Sequence, residues 1–231
     1  MRPEAAMIFA AGHGTRMGAL TRDRPKALIE VAGKTLLAHA LRLTREAGVA
    51  RTVVNIHAHA GQMRAWLAAE APEVIVSEEP ALLETGGGLR AAIHLLGPGP
   101  VFTLNADMIW TGPNPLETLA RDWEPARMEA LLSLLPREAG VGHTGPGDFF
   151  LGADGRLTRR GAAATAPYIY PGAQIIDPRR LGEIADDIFS LNRVWDPMLA
   201  AGRAFGSVHH GGWADVGRPE GIALAEAELR R

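Results

Sequence analysis

The stretch that decides the fold is AAGHGTRMGALTRDRPK, residues 10–26. It follows a short apolar run, Ala5 to Phe9, that passes into small residues and a glycine. Such a run reads as a buried strand feeding a loop. Gly12 and Gly14 carry no Cβ, so backbone N–H groups there can approach a phosphate closely. Arg16 follows in the loop, and Lys26 closes the stretch after Pro25. A glycine loop followed by an arginine and then a lysine fits a nucleoside triphosphate, with Arg16 on the leaving diphosphate and Lys26 at the α-phosphate. Of 24 basic residues only Lys26 and Lys34 are lysines. A lysine beside Pro25, in a chain that otherwise uses arginine, is consistent with a need for a compact ammonium.

Two common phosphate loops fail on spacing. The dinucleotide fingerprint needs G-x-G-x-x-G, whereas the glycines here are Gly12, Gly14 and Gly18. The second strand also ends in Asn55, Ile56 and His57, with no acidic residue to hold a ribose. Gly33-Lys34-Thr35 lacks the upstream glycine of a Walker A loop, because Leu28 stands there.

Working outward, Thr35 reads as the cap of a helix from Leu36 to about Ala47, closed by Gly48. RTVVNI at 51–56 is β-branched and predicts a second strand. A helix over 61–70, a short strand over 74–76, a helix over 88–96 and a strand over 101–104 follow by periodicity. Short buried strands alternating with helices predict βαβ units and a parallel sheet. Ligands of such sheets bind at the carboxyl ends of the strands. The glycine loop, Ser77 to Glu79, and Asn105 to Asp107 all fall at such ends. Beyond Trp110 the pattern is less regular. It predicts a strand over 128–134, a hairpin over 149–157 around Asp154-Gly155, and an extended piece over 167–176. A helix over 191–201, a strand reaching His209 and a closing helix over 218–231 complete it.

At 231 residues the chain is one large domain or two small ones sharing a core. It has no cysteine, which excludes disulfides, thiolate metal sites and thiol nucleophiles. A formal net charge of -2 gives no general attraction to nucleic acid or anionic membrane. No apolar run is long enough to span a bilayer, and no secretory leader stands at the N-terminus, so the expectation is a cytoplasmic protein. His57-x-His59 has metal-like spacing but no acidic partner near it in sequence, and reads as structural.

From Phe9 to Leu37, FAAGHGTRMGALTRDRPKALIEVAGKTLL resembles without a gap the signature of the sugar-1-phosphate nucleotidylyltransferases, AAGxGTRLxPLTxxxPKxLxPVxGKPxL. Ala19 and Glu30 replace prolines of that pattern. LLETGGGL at 82–89, LNAD at 104–107, GDF at 147–149 and WADVG at 213–217 resemble later family stretches in order. The resemblance implies a Rossmann-like three-layer α/β/α domain over 1–231 with a mostly parallel central sheet. Its nucleotide-binding half would be 1–110; 111–231 would hold a small sugar-binding insertion and the closing helix.

The resemblance also implies a reaction: a nucleoside triphosphate, UTP or GTP, and a sugar-1-phosphate combine, with Mg²⁺ as cofactor. The phosphate nucleophile is already an anion near neutral pH, so the enzyme's task is alignment and charge screening. On this reading Arg16, Lys26 and Asp107 are catalytic, and Asp107 and Asp215 hold Mg²⁺. Phe9, Ala10, Ala11, Gly12, Gly14 and Thr15 would bind the nucleotide, with Glu79 at the base edge and Glu84, Thr85, Gly86 and Gly87 as a second wall. Asn105, Gly147, Asp148 and Gly172 would face the sugar. The lysine by which many relatives hold the sugar phosphate has no match, and Arg159-Arg160 stand in that region. Same-fold transferases acting on non-sugar phosphates, and a nucleotide-sugar sensor without turnover, are the alternatives.

Overall fold

In the computed structural model, which describes residues 2–231, the opening apolar run is β1 (Ala5–Phe9). Its side chains alternate between two cores, Ala6 and Ile8 in one and Ala5 and Met7 in the other. A strand buried on both faces belongs at the centre of an α/β sheet. After the glycine loop come a small hairpin, β2 (Glu30–Val31) with β3 (Lys34–Thr35), and then α1 (Leu36–Glu46). Thr35 caps α1 by accepting the Ala38 N–H at 3.1 Å, and Gly48 follows its end with φ +63°.

Next are β4 (Arg51–Ile56), α2 (Ala60–Glu70), β5 (Ile75–Glu78), α3 (Glu84–Leu96) and β6 (Val101–Asn105). The four long strands are parallel and lie in the order β5-β4-β1-β6. Leu37 and Leu41 of α1 and Met63 of α2 pack with Ile8, Val54 and Leu104 on one face. Leu89 and Ala92 of α3 pack with Met7 and Val53 on the other. This is the expected three-layer arrangement, and the strand order reverses direction between β1 and β6.

The rest of the chain supplies β7 (Met108–Trp110), α4 (Pro115–Asp122), β8 (Ala130–Pro136), β9 (Phe149–Leu151), β10 (Leu157–Arg159), β11 (Tyr168–Ile169) and β12 (Ala173–Ile176). It ends with α5 (Asn192–Ala200), β13 (Ala204–Val208), β14 (Trp213–Asp215) and α6 (Glu220–Leu229). β12 lies antiparallel beside β6, β8 antiparallel beside β12, and β13 parallel beside β8. The insertion is therefore confined to the antiparallel β9, β10 and β11 at the sheet edge. Among the described residues, no helix is long and apolar enough to cross a membrane.

Several elements differ from the sequence expectation, which did not include β2, β3, β7 or β14. α3 starts at Glu84, four residues before the predicted Gly88, because Gly86 and Gly87 are helical here despite their low helix propensity. The extended piece over 167–176 is broken at Pro171-Gly172, where Gly172 takes φ +95°. α4 escapes the sequence reading because it is short; Asn114 caps it by accepting the Leu116 N–H at 2.9 Å.

Two buried histidines make stability depend on pH. Burial holds His39 below the usual histidine value, although its Nε2 meets the Val31 carbonyl at 2.9 Å. Burial likewise lowers His209, whose ring packs edge-on against Trp110 at 5.0 Å. Both pKa values are lower folded than unfolded, so acid protonates the unfolded chain first. Their contribution is complete above about pH 6.5 and is lost as pH falls below it. Thermal melting should therefore show a lower Tm at mildly acidic pH than at neutral pH, with a smaller drop in the His39→Gln/His209→Gln variant. An equal drop in both proteins would rule the histidines out.

Candidate active site

The cleft opens at the carboxyl ends of β1 and β6, where the strand order reverses. It is a cavity of about 370 Å³ whose lining includes Phe9, Ala10, Ala11, Gly12, Lys26 and Asp107. A Cβ on Gly12 would meet nothing within 4 Å, so this side of the loop is open to a ligand. Gly14 is constrained differently: φ is +64°, and a Cβ there would lie 2.8 Å from Lys26 Cβ. It lets the loop close over the Lys26 stem. Thr15 is exposed beside it.

A buried relay fixes the floor of this cleft. The Ala10 N–H donates to Asn55 Oδ1 at 2.7 Å, and Asn55 Nδ2 donates to Glu79 Oε1 at 2.7 Å. Glu79 Oε2 accepts the Leu83 N–H at 3.0 Å. Three strand ends and the start of α3 are thereby tied together. Glu79 lines the cavity as expected, and each of its carboxylate oxygens accepts one hydrogen bond from the protein, so it also braces the floor.

The turn at the start of α3 divides similarly. Glu84 and Thr85 line the cavity, and Glu84 holds φ +59°, a conformation L side chains rarely adopt. Gly86 and Gly87 do not face it. Both donate their N–H groups to the Phe189 carbonyl, at 2.8 and 3.0 Å. A Cβ on Gly86 would sit 2.4 Å from the Phe189 ring, and one on Gly87 would sit 2.3 Å from the Asp187 carbonyl oxygen. These glycines make room for the segment over 187–189.

Asp107 and Asp215 are brought together by strand pairing. Asp107 follows β6, and β7 pairs antiparallel with β14 so that Met108 faces Asp215. The Val216 N–H donates to the Asp107 carbonyl at 3.1 Å. Lys26 Nζ lies 2.5 Å from Asp107 Oδ2. Asp215 Oδ1 is buried and has no hydrogen-bond partner. Burial above all, and then the Asp107 charge, push the Asp215 carboxyl up, while Lys26 and Arg16 pull it down. A Cβ on Gly217 would lie 2.8 Å from Asp215 Oδ1 and 3.3 Å from Arg16 Nη1, so both side chains border one space. Arg16 and Asp215 also line a cavity of about 440 Å³ with Arg218 and His143. Two carboxylates and two cations thus converge.

A further cavity of about 250 Å³ shares Phe9, Thr85, Asn105 and Ser190 with the first. Asp148 lines it and accepts the Tyr170 N–H at 2.9 Å. Gly172 accepts the Asn105 N–H at 2.8 Å, and a Cβ there would strike the Asn105 side chain at 2.9 Å. Gly147 is buried, with a Cβ position 2.1 Å from the Ala166 carbonyl oxygen. Of the four residues expected at the sugar, Asn105 and Asp148 line the cavity, whereas Gly147 and Gly172 shape the backbone behind it. Sequence reasoning missed Ser190, Asn192 and Trp195; the one signal for them was the Gly86-Gly87 pair, which has a segment packed against it.

The sequence matches the MobA-like NTP transferase domain over residues 6–186. It is 42% identical to the N-acetylmuramate alpha-1-phosphate uridylyltransferase of Caulobacter vibrioides, over 98% of this chain and 97% of that protein. It is 33% identical to the protein of the same name from Neisseria meningitidis, over 92% of each. The crystal structure of HddC from Yersinia pseudotuberculosis in complex with GMP-PN has the same fold. Its TM-score is 0.79 at 18% identity, over 99% of this chain and 100% of that one.

The relay is testable by stability. Asn55→Ala strips a buried carboxylate of its amide partner, which should cost about 1–3 kcal/mol or more in urea denaturation. Unchanged stability would mean that Glu79 is not held by Asn55.

Proposed function

The chain belongs to the MobA-like NTP transferase family, and from that premise we propose that it transfers a uridylyl group from UTP to N-acetylmuramate α-1-phosphate. The products are UDP-N-acetylmuramate and pyrophosphate. The observation that carries the reaction class is the convergence of four charges: Lys26 and Asp107 line the strand-end cleft, Arg16 and Asp215 line a second cavity, and the Asp107, Lys26 and Arg16 charges all act on Asp215. End-to-end likeness to the Caulobacter vibrioides uridylyltransferase supports the choice of nucleotide and sugar.

An oxygen of the sugar phosphate attacks the α-phosphorus; that P–O bond forms while the bond to the β-phosphate oxygen breaks. The nucleophile is largely dianionic at neutral pH because its second pKa is about 6, so no side chain has to remove a proton. Lys26 lines the cavity and exchanges its Asp107 partner for α-phosphate oxygens. Arg16 and Arg218, bordering the cavity beyond Asp215, face the departing pyrophosphate. With Glu79 engaged, the backbone of Ala10 to Gly12 and the Glu84-Thr85 turn remain to read the base.

Asp107 and Asp215 would hold Mg²⁺. The buried, unpartnered Asp215 Oδ1 fits a hard cation. Among the described residues no group of three or more His, Cys, Asp or Glu is placed to bind a metal. Two carboxylates that leave the remaining positions to phosphate oxygens and water suit Mg²⁺. When bound, it adds positive charge between two polyanions and favours the charge that develops on the leaving group.

Pyrophosphate release, measured over the four common nucleoside triphosphates and several sugar-1-phosphates, should be fastest for UTP with N-acetylmuramate α-1-phosphate. A best pair of GTP with mannose-1-phosphate, or of CTP with any acceptor, would contradict the proposal. In the same assay Lys26→Ala should turn over about 100- to 1,000-fold more slowly, the scale of losing one preorganised donor, with its melting transition intact. Turnover within about threefold of the parent would remove Lys26 from the mechanism.

A further inference from the structure

N-acetylmuramate α-1-phosphate carries two anionic groups, the phosphate at C1 and the carboxylate of the lactyl ether at C3. The phosphate has to reach the α-phosphorus near Lys26 and Asp107, which line the first cavity and not the second. The ring then extends through the shared wall into the second cavity. Among the described residues lining that cavity, Arg159 is the one cation. It does not line the first cavity, where Lys26 and Asp107 stand.

Arg159 is also held ready. Nε donates to Asp196 Oδ1 at 2.8 Å, Nη1 to Asn192 Oδ1 at 3.0 Å, and Nη2 to the Asn192 carbonyl at 3.0 Å. Each terminal nitrogen keeps a further N–H, the pair of donors that a carboxylate takes up. The guanidinium carbon lies 5.6 Å from the Phe149 ring centre and 5.8 Å from that of Trp195. Trp195 is itself fixed, donating Nε1–H to Gln174 Oε1 at 2.9 Å. The Asp196 side chain is 61% exposed, so water screens this pair and the arginine retains attraction for a second carboxylate. Arg160 is differently employed: it donates to the carbonyls of Gly147, Gly161 and Ala163 and braces its own loop.

We infer that Arg159 is the specificity residue for the sugar, binding the lactyl carboxylate in the aromatic-walled cavity. This rests on the uridylyltransferase reading above. The test uses Arg159→Gln and Arg159→Lys with UTP and two acceptors, N-acetylmuramate α-1-phosphate and N-acetylglucosamine α-1-phosphate, which has a hydroxyl in place of the lactyl ether. For Arg159→Gln, kcat/KM with the lactyl substrate should fall roughly 10- to 100-fold, through KM, the scale of one charged hydrogen-bond pair. The value for the hydroxyl substrate should change less than about threefold, and Arg159→Lys should recover part of the lost selectivity. Equal losses for both acceptors would place Arg159 on the phosphate and overturn the inference, as would no loss for either. A parent protein indifferent to the lactyl group would overturn the reading of the sugar together with the inference. A selective parent whose variant loses both substrates equally overturns the Arg159 assignment alone.

Discussion

Two carboxylates, Asp107 and Asp215, are forced into one place, and the rest of the site is arranged around that cost. Burial above all, and then the Asp107 charge, raise the affinity of the Asp215 carboxyl for a proton. Lys26 at 2.5 Å from Asp107 and Arg16 beside Asp215 offset the repulsion incompletely, since Asp215 Oδ1 remains buried without a partner. A protein that needed only a stable fold would replace such a pair. The topology is instead committed to it: β14 leaves the central sheet to pair with β7, directly after the turn that carries Asp107. Gly217 then has to be small so that Asp215 and Arg16 can share the adjacent space.

The opposite wall obeys another constraint. Apart from Glu84, the residues named on it are neutral or hydrogen-bonded, and they act by position. Asn55 and Glu79 link the ends of β1, β4 and β5 to the start of α3, and Thr85 Oγ1 accepts the Leu191 N–H at 3.0 Å. Gly86 and Gly87 let the 187–189 segment lie close against α3, next to Ser190, which lines both cavities. A wall braced by hydrogen bonds facing one that carries both cations suits a reaction in which alignment of two polyanions is the main demand.

Much of this was legible in the sequence, and the limits have physical reasons. The β1 run and the Thr35 cap act through local geometry, and the strand over Ala5–Phe9 and the helix over Leu36–Glu46 match the reading nearly residue for residue, whereas the β2–β3 hairpin between them was not read. The convergence of Asp107 with Asp215 came from the family resemblance, since nothing local makes them neighbours. That Glu79, Gly86 and Gly87 also make contacts within the chain was not legible, because sequence does not show which groups meet their own chain. A buried carboxylate and a solvent-facing one are written with the same letter. Arg159 was noticed only as a departure from the family pattern; its aromatic surroundings come from β9, the strand break at Pro171-Gly172 and α5, which are far apart in sequence.

The central claim is that Asp107 and Asp215 work as one unit. The most direct measurement is a double-mutant cycle on Asp107→Asn and Asp215→Asn, reading pyrophosphate release at saturating Mg²⁺. If the two carboxylates share a role, either single change removes most of the effect, and the double variant loses clearly less than the product of the two single losses. Losses that multiply as independent factors would contradict the account.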